Sequence, residues 1–170
     1  MRILVRGCFA LCLSLAFVPA TFAQELTLDT LRSMDRCALD ELFRSGRAVA
    51  PPVGYARGHI LCFSADYYRC PRLSAAMSGA VWKGKHFNCD GSFVNQFAGI
   101  KALRSCVASG KSWFDGADCI ILEYPTGTPV FDDMRDEVRE VCPGIFVSRL
   151  YNRYTCEFRG YVALVPQGCR

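Results

Sequence analysis

The sequence predicts a mainly β protein, an antiparallel β-barrel of about eight strands with an N-terminal amphipathic helix, and three observations predict it. Val81 to Gly99, VWKGKHFNCDGSFVNQFAG, reads as two strands joined at Asp90-Gly91, one of the strongest short hairpin signals. Everything after Pro51-Pro52 has strand period broken by turn residues. Ahead of that pair, a single apolar stripe has helical spacing.

The chain opens with Arg2 and Arg6, the apolar run Cys8 to Pro19, and small residues at Thr21 and Ala23. This is the pattern of a secretory signal cut before Gln24, which assigns residues 1–23 to a leader and 24–170 to one helix-plus-barrel domain. The apolar core is too short for a comfortable membrane span, and no later segment reaches transmembrane length. The expected location is secreted, periplasmic or cell-envelope. Removing 23 of the 170 residues leaves 147, enough for one domain with its own core.

Leu28, Leu31, Met34, Ala38, Leu39 and Leu42 recur at three- and four-residue intervals. With Thr27 or Asp29 as cap and Gly46 as stop, they predict an amphipathic helix of about four turns that covers one face or end of the sheet. Eight strands are then expected over Arg57–Phe63, Val81–Phe87, Ser92–Ala98, Ala102–Ala108, Cys119–Tyr124, Asp136–Cys142, Ile145–Tyr151 and Phe158–Val165. Cys70-Pro71, Asp90-Gly91, Ser109-Gly110, Asp115-Gly116, Pro125 to Pro129 and Pro143-Gly144 punctuate them. Met134 to Val141 could also be a short helix, because Val138 and Val141 do not alternate cleanly. Eight strands can close a barrel just wide enough to hold side chains or one small ligand.

A two-residue turn would pair Cys89 with Ser92 and place Trp82, Gly84, His86 and Asn88 on one face with Phe93, Asn95, Phe97 and Gly99. That face is aromatic with a few polar groups, while the other carries Lys83 and Lys85. The Trp82 face is therefore assigned to the interior and the lysine face to solvent. A one-residue bulge would exchange the two faces. Aromatic walls with a few placed polar groups are what a ligand pocket needs, and His86 opposite Asn95 fits it as well as it fits an ordinary satisfied core. The candidate ligand-binding residues are Trp82, Phe93, Phe97 and Tyr124 as walls, with His86, Asn95 and Arg135 as polar contacts. Arg135 belongs to the mixed charge run Arg135 to Glu140, and its fork would meet a carboxylate or phosphate if it pointed inward.

Composition excludes several classes. The net charge of +4 includes Arg2 and Arg6, so the mature chain carries +2, and no clustered basic face argues for nucleic acid. Nine cysteines follow the leader: Cys37, Cys62, Cys70, Cys89, Cys106, Cys119, Cys142, Cys156 and Cys169. In an exported chain they predict disulfides, with at least one thiol left over. Close Cys or His pairs with zinc spacing are absent, so no metal is expected. Gly110-Lys111-Ser112 lacks the first glycine of a phosphate loop, Ser105 standing in its place, and no other cofactor motif occurs. Oligomeric state is not legible.

Several segments resemble the bacterial family of unknown function named for its GXWXG motif. Leu42-Phe43, Pro52 and Gly54-Tyr55-Ala56-Arg57-Gly58 are similar to its opening, with Ala56 where the naming Trp would stand. Trp82-Lys83-Gly84-Lys85-His86-Phe87 resembles its W-x-G-K-x-F segment, and Pro129-Val130-Phe131-Asp132-Asp133-Met134-Arg135 resembles a later stretch running from Pro to Asp and Arg. The resemblance implies a calycin/lipocalin-like β-barrel without an established activity, here a distant, exported relative.

Serine-hydrolase chemistry would need a motif such as G-x-S-x-G, which is missing, and only two histidines are present to serve as bases. Three readings remain, in this order: a binding module for a small apolar or amphipathic molecule, a filled barrel acting as a disulfide-stapled envelope or interaction protein, and an isomerase- or cyclase-type enzyme using His86.

Overall fold

The chain closes its eight strands into a barrel in simple sequence order, the first pairing with the last. This was established in a computed structural model that describes residues 26–128 and 131–168. The expected leader lies outside the described residues, as do Pro129, Val130 and Cys169. The strands are β1 (Gly54–Phe63), β2 (Trp82–Phe87), β3 (Ser92–Phe97), β4 (Ile100–Lys111), β5 (Asp118–Glu123), β6 (Met134–Cys142), β7 (Ile145–Asn152) and β8 (Phe158–Pro166). Neighbours are all antiparallel, and β1 closes on β8 through pairs such as Gly58 with Leu164. The stretch from Met134 to Val141 is strand, not helix: Asp136 and Val138 face inward while Glu137 and Arg139 face outward.

The expected four-turn helix is broken in two, α1 (Leu28–Ser33) and α2 (Arg36–Ser45). Thr27 caps α1 by accepting from Thr30 N at 3.1 Å, and Asp35 caps α2 by accepting from Ala38 N at 2.8 Å. Asp35 is the reason for the break, since its carboxylate offers the backbone a competing partner in mid-stripe. The stripe nevertheless does what its period predicts. Leu31, Leu39 and Phe43 are fully buried against Val147, Tyr161 and Ala163 on the outside of β7 and β8. Gly46 ends α2 where the chain passes so close to Arg139 that an added Cβ would sit 2.8 Å from that residue's own. A third helix, α3 (Pro71–Val81), is absent from the sequence reading; it starts on the Cys70-Pro71 turn and packs on β1.

The hairpin forms at Asp90-Gly91, but its loop has three residues, Cys89 to Gly91, with Gly91 at φ +76° and Asn88 N donating to Ser92 O at 2.8 Å. Phe87 therefore pairs with Phe93 and Lys85 with Asn95, one residue out of the expected register. A bulge between Trp82 and Gly84 then returns Trp82 to the interior. The face assignment is corrected accordingly. Lys85 and Phe87 point into the barrel, and His86 lies on the outer face in register with Tyr55 and Val94. Gly84 makes this possible, at φ +139° and with its α-carbon so near β1 that an added Cβ would meet Ala56 O at 2.1 Å. Gly84→Ala should lower stability by about 3 kcal/mol or more, read as a drop in the urea midpoint at constant m-value. A change below about 0.5 kcal/mol would contradict this account of the bulge.

Two apolar clusters sit on either side of the barrel wall. Inside, Ala56, Phe87, Phe93, Ile120, Leu122, Val138, Phe146 and Leu164 fill one half. Outside, the α1–α2 cluster is pinned at its edge by Arg139, which is fully buried, donates to both Asp115 oxygens at 2.7 Å and stacks on Phe43. No disulfide forms among the described residues: the eight described cysteines are unbonded, and burial pushes the Cys119 thiol up to about 11. No described helix is long and apolar enough to cross a membrane.

Candidate functional site

The other half of the barrel is open. A cavity of about 730 Å³ runs in from the end formed by the β1–α3 and β5–β6 connections. Its walls come from inward positions of the strands: Ile60 of β1, Trp82 of β2, Leu150 of β7 and Val162 of β8. Phe63, Tyr67, Tyr68 and Phe131 line it nearer the entrance.

At its base stand Lys85, Tyr124 and Asp136, each at most 3% exposed. Lys85 Nζ lies 3.2 Å from Asp136 Oδ2, and donates to Asn95 Oδ1 at 3.1 Å and to the Tyr124 hydroxyl. Tyr124 donates to the same Asp136 oxygen at 2.9 Å, and Trp82 Nε1 donates to Asn95 Oδ1 at 3.0 Å. The Phe93 ring centroid lies 4.9 Å from the ammonium. Burial lowers the Lys85 ammonium below the usual lysine range, against the opposing pull of Asp136. Burial and the Asp136 carboxylate hold the Tyr124 hydroxyl well above its ordinary value, so it remains a proton donor. Asp136 Oδ1 is buried without a hydrogen-bond partner in the protein. One cation and one anion cancel at the base, and Asp136 keeps one oxygen without a partner. Such a surface suits a neutral polar head better than a carboxylate, which would meet Asp136 with no unpaired cation to balance it.

The entrance carries a second polar group. Arg159 donates to both Asp133 oxygens, one at 3.0 Å, and stacks 4.2 Å from the Tyr67 ring centroid. Asn152 Nδ2 donates to Asp133 Oδ2 at 3.3 Å.

The candidate residues divide as follows. Trp82 and Tyr124 line the cavity, and Asn95 lies fully buried behind Lys85, whose ammonium it orients. Phe93 belongs to the packed floor, and Phe97 meets Phe131 edge to face at 5.9 Å without lining the cavity. His86 is outside, for the register reason given above, and the enzyme reading loses its proposed interior base with it. Arg135 also lies on the outer face, where it donates to Glu137 Oε1 at 3.0 Å and to Lys111 O at 2.9 Å and stacks on Trp113. Neighbouring Asp136 takes the inward place, as strand alternation requires. Lys85, assigned from the sequence to the solvent face, and Asp136, one member of the mixed charge run, are the residues that the sequence did not single out. Gly84 carried the signal for the first, because a strand glycine often marks a bulge.

Several tyrosines report on the integrity of this architecture. Burial raises Tyr124 and Tyr161, and Tyr151 is pushed up to about 12. The unfolded chain releases these protons near pH 10 while the folded chain holds them. Their contribution to stability is therefore complete below about pH 10 and falls as pH rises from there through about 12. Phenolate absorbance followed with circular dichroism should show these tyrosines ionising only as the barrel unfolds; their titration with the fold intact would refute their burial.

No family model matches the chain, and no curated protein matches it significantly. Among solved structures it is similar to a protein from Thermomonospora curvata, with a TM-score of 0.56 and 18% identity over 79% of this chain and 89% of that one. At that identity the likeness establishes the barrel fold alone.

Proposed function

We propose that the protein is an exported carrier of one small amphipathic molecule, whose apolar body fills the cavity and whose neutral polar head rests on Lys85, Tyr124 and Asp136. The observation that carries this reading is a cavity of about 730 Å³, a volume within the range of small-molecule sites, with the buried Lys85–Asp136 pair and Tyr124 at its base. A purely structural barrel has no use for a buried ion pair under an open cavity, because apolar residues of similar volume would serve stability as well or better. Export is supported by the leader pattern of residues 1–23, and kinship with the GXWXG-motif family by the W-x-G-K-x-F segment, where Trp82, Gly84 and Lys85 have separable physical roles.

The test is a fluorescence titration of the mature chain with dodecanol, dodecanoate and dodecane, in a Trp113→Phe background that leaves Trp82 as the reporter. Dodecanol should bind saturably, and dodecanoate about tenfold or more weakly, since its charge must be buried against Asp136. Leu150→Trp, which fills the cavity from the wall, should abolish uptake and leave the circular dichroism spectrum intact. Equal binding of the alcohol by the filled variant would place the site elsewhere, and no binding by the parent would refute the carrier reading.

A further inference from the structure

Lys85 is better placed than a simple hydrogen-bond donor needs to be. The chain has four lysines, and Lys83, Lys101 and Lys111 are exposed while Lys85 is buried and lines the cavity base. A buried lysine held by a carboxylate and a phenol has the three parts of carbonyl-amine condensation: an amine, a proton acceptor and a proton donor. Resting on the carrier reading, we propose that Lys85 captures aldehyde-bearing amphipaths as a reversible imine, with Asp136 as counter-ion and Tyr124 as proton donor.

The steps balance. Asp136 takes one proton from the Lys85 ammonium, leaving a neutral amine and a neutral acid 3.2 Å apart. The amine nitrogen adds to the aldehyde carbon, and the carbonyl oxygen, receiving a proton from Tyr124, becomes the hydroxyl of a carbinolamine. The nitrogen then carries a positive charge, and one of its two protons returns to the Tyr124 phenolate. Loss of the hydroxyl as water, using the proton held by Asp136, forms the C=N bond as a protonated imine beside an ionised Asp136. The net reaction joins amine and aldehyde with release of one water and needs no oxidant or reductant. The charge pattern at the end is that of the resting site, one buried cation against Asp136, so capture places no new net charge in the barrel. Burial, which favours the free amine over the ammonium, supports the first step.

The experiment treats the mature protein with decanal and cyanoborohydride at pH 7, then maps the decyl group by peptide mass spectrometry, with and without excess decanol. A single adduct on Lys85, formed at least about tenfold faster than on any surface lysine and slowed by decanol, is the expected result. Decanol needs no altered chain, so the test does not depend on a Lys85 variant folding. If decanol binds but decyl groups appear on Lys83, Lys101, Lys111 or the N-terminus and not on Lys85, the imine is overturned and the carrier stands. If neither decanol nor decanal enters the barrel, both fall.

Discussion

Asp136→Ala should cost the fold about 3–5 kcal/mol, because it leaves the Lys85 ammonium buried with only neutral partners. Asn95 and Tyr124 can accept its hydrogen bonds, but neither cancels its charge. Lys85 can escape by losing its proton, which gives the variant a pH signature. Burial already lowers the folded-state value below the ordinary 10.5, and removing Asp136 takes away the charge that opposes that shift. Between the folded and unfolded values the unfolded chain binds more protons, so the variant's stability should rise as pH rises from 7. Urea midpoints at several pH values check this. A loss below about 1 kcal/mol that does not vary with pH would mean that the pair is not buried together.

The paired replacement Lys85→Met with Asp136→Leu should recover most of that loss, since both charges go and the volume stays filled. Its carrier phenotype should move the other way. Without the Asp136 carboxylate and the Lys85 ammonium, the cavity retains its apolar wall residues but loses most of its means of telling an alcohol from an alkane. Preference for dodecanol over dodecane is therefore expected to shrink while stability returns. That opposition of stability and selectivity distinguishes a ligand-holding ion pair from one kept for folding alone.

What was legible in the sequence was period and punctuation. Alternation from Gly54 onward and glycines at the turns were enough for a barrel, because its strands follow chain order and, apart from the closure of β1 on β8, pair with their neighbours in sequence. The apolar stripe ahead of Pro51 was enough for a covering helix, although Asp35 divided it. Lys85 shows the limit of this kind of reading. Its side depends on one residue in the loop at Asp90 and one in the bulge at Gly84, and each shifts the parity of everything beyond it. Hydropathy voted against the true answer, because a lysine on an aromatic strand looks like the solvent side. Only the partner on β6, distant in sequence, makes burial tolerable. Asp136 was hidden in the same way, inside a charge run in which Arg135, Glu137 and Arg139 find partners outside the barrel and Glu140 pairs with Arg47 ahead of β1. The region from Pro71 to Val81 was missed for a different reason: Leu73, Ala76, Met77 and Ala80 recur at helical spacing after Pro71, but the stripe is short and lies between two strand patterns, and in the fold Leu73 and Met77 stay exposed.

Asp40→Ala should loosen α2 and leave the cavity unchanged. Arg149 projects from the outer face of β7 into an aromatic box, 3.9 Å from the Phe114 ring centroid and 4.4 Å from that of Phe158, with its Nε donating to the Tyr151 hydroxyl at 2.7 Å. Its carboxylate partner comes from the helix: Asp40 accepts from Arg149 and from the Tyr161 hydroxyl. This ties the polar edge of α2 to the barrel at the place where Leu39 and Phe43 supply the apolar contact. Loss of the carboxylate strands a guanidinium that is nearly buried, for an expected cost of about 2–4 kcal/mol, less than at Asp136 because Asp40 itself is 19% exposed. Amide exchange should quicken through Arg36–Ser45 and not in β2 or β6, where the cavity base is held. Dodecanol affinity should stay within about twofold of the parent, since Arg149 and Lys85 lie on opposite sides of the barrel wall. A large fall in affinity would show that helix docking and the cavity are coupled through β7, whose Leu150 contributes to the cavity wall.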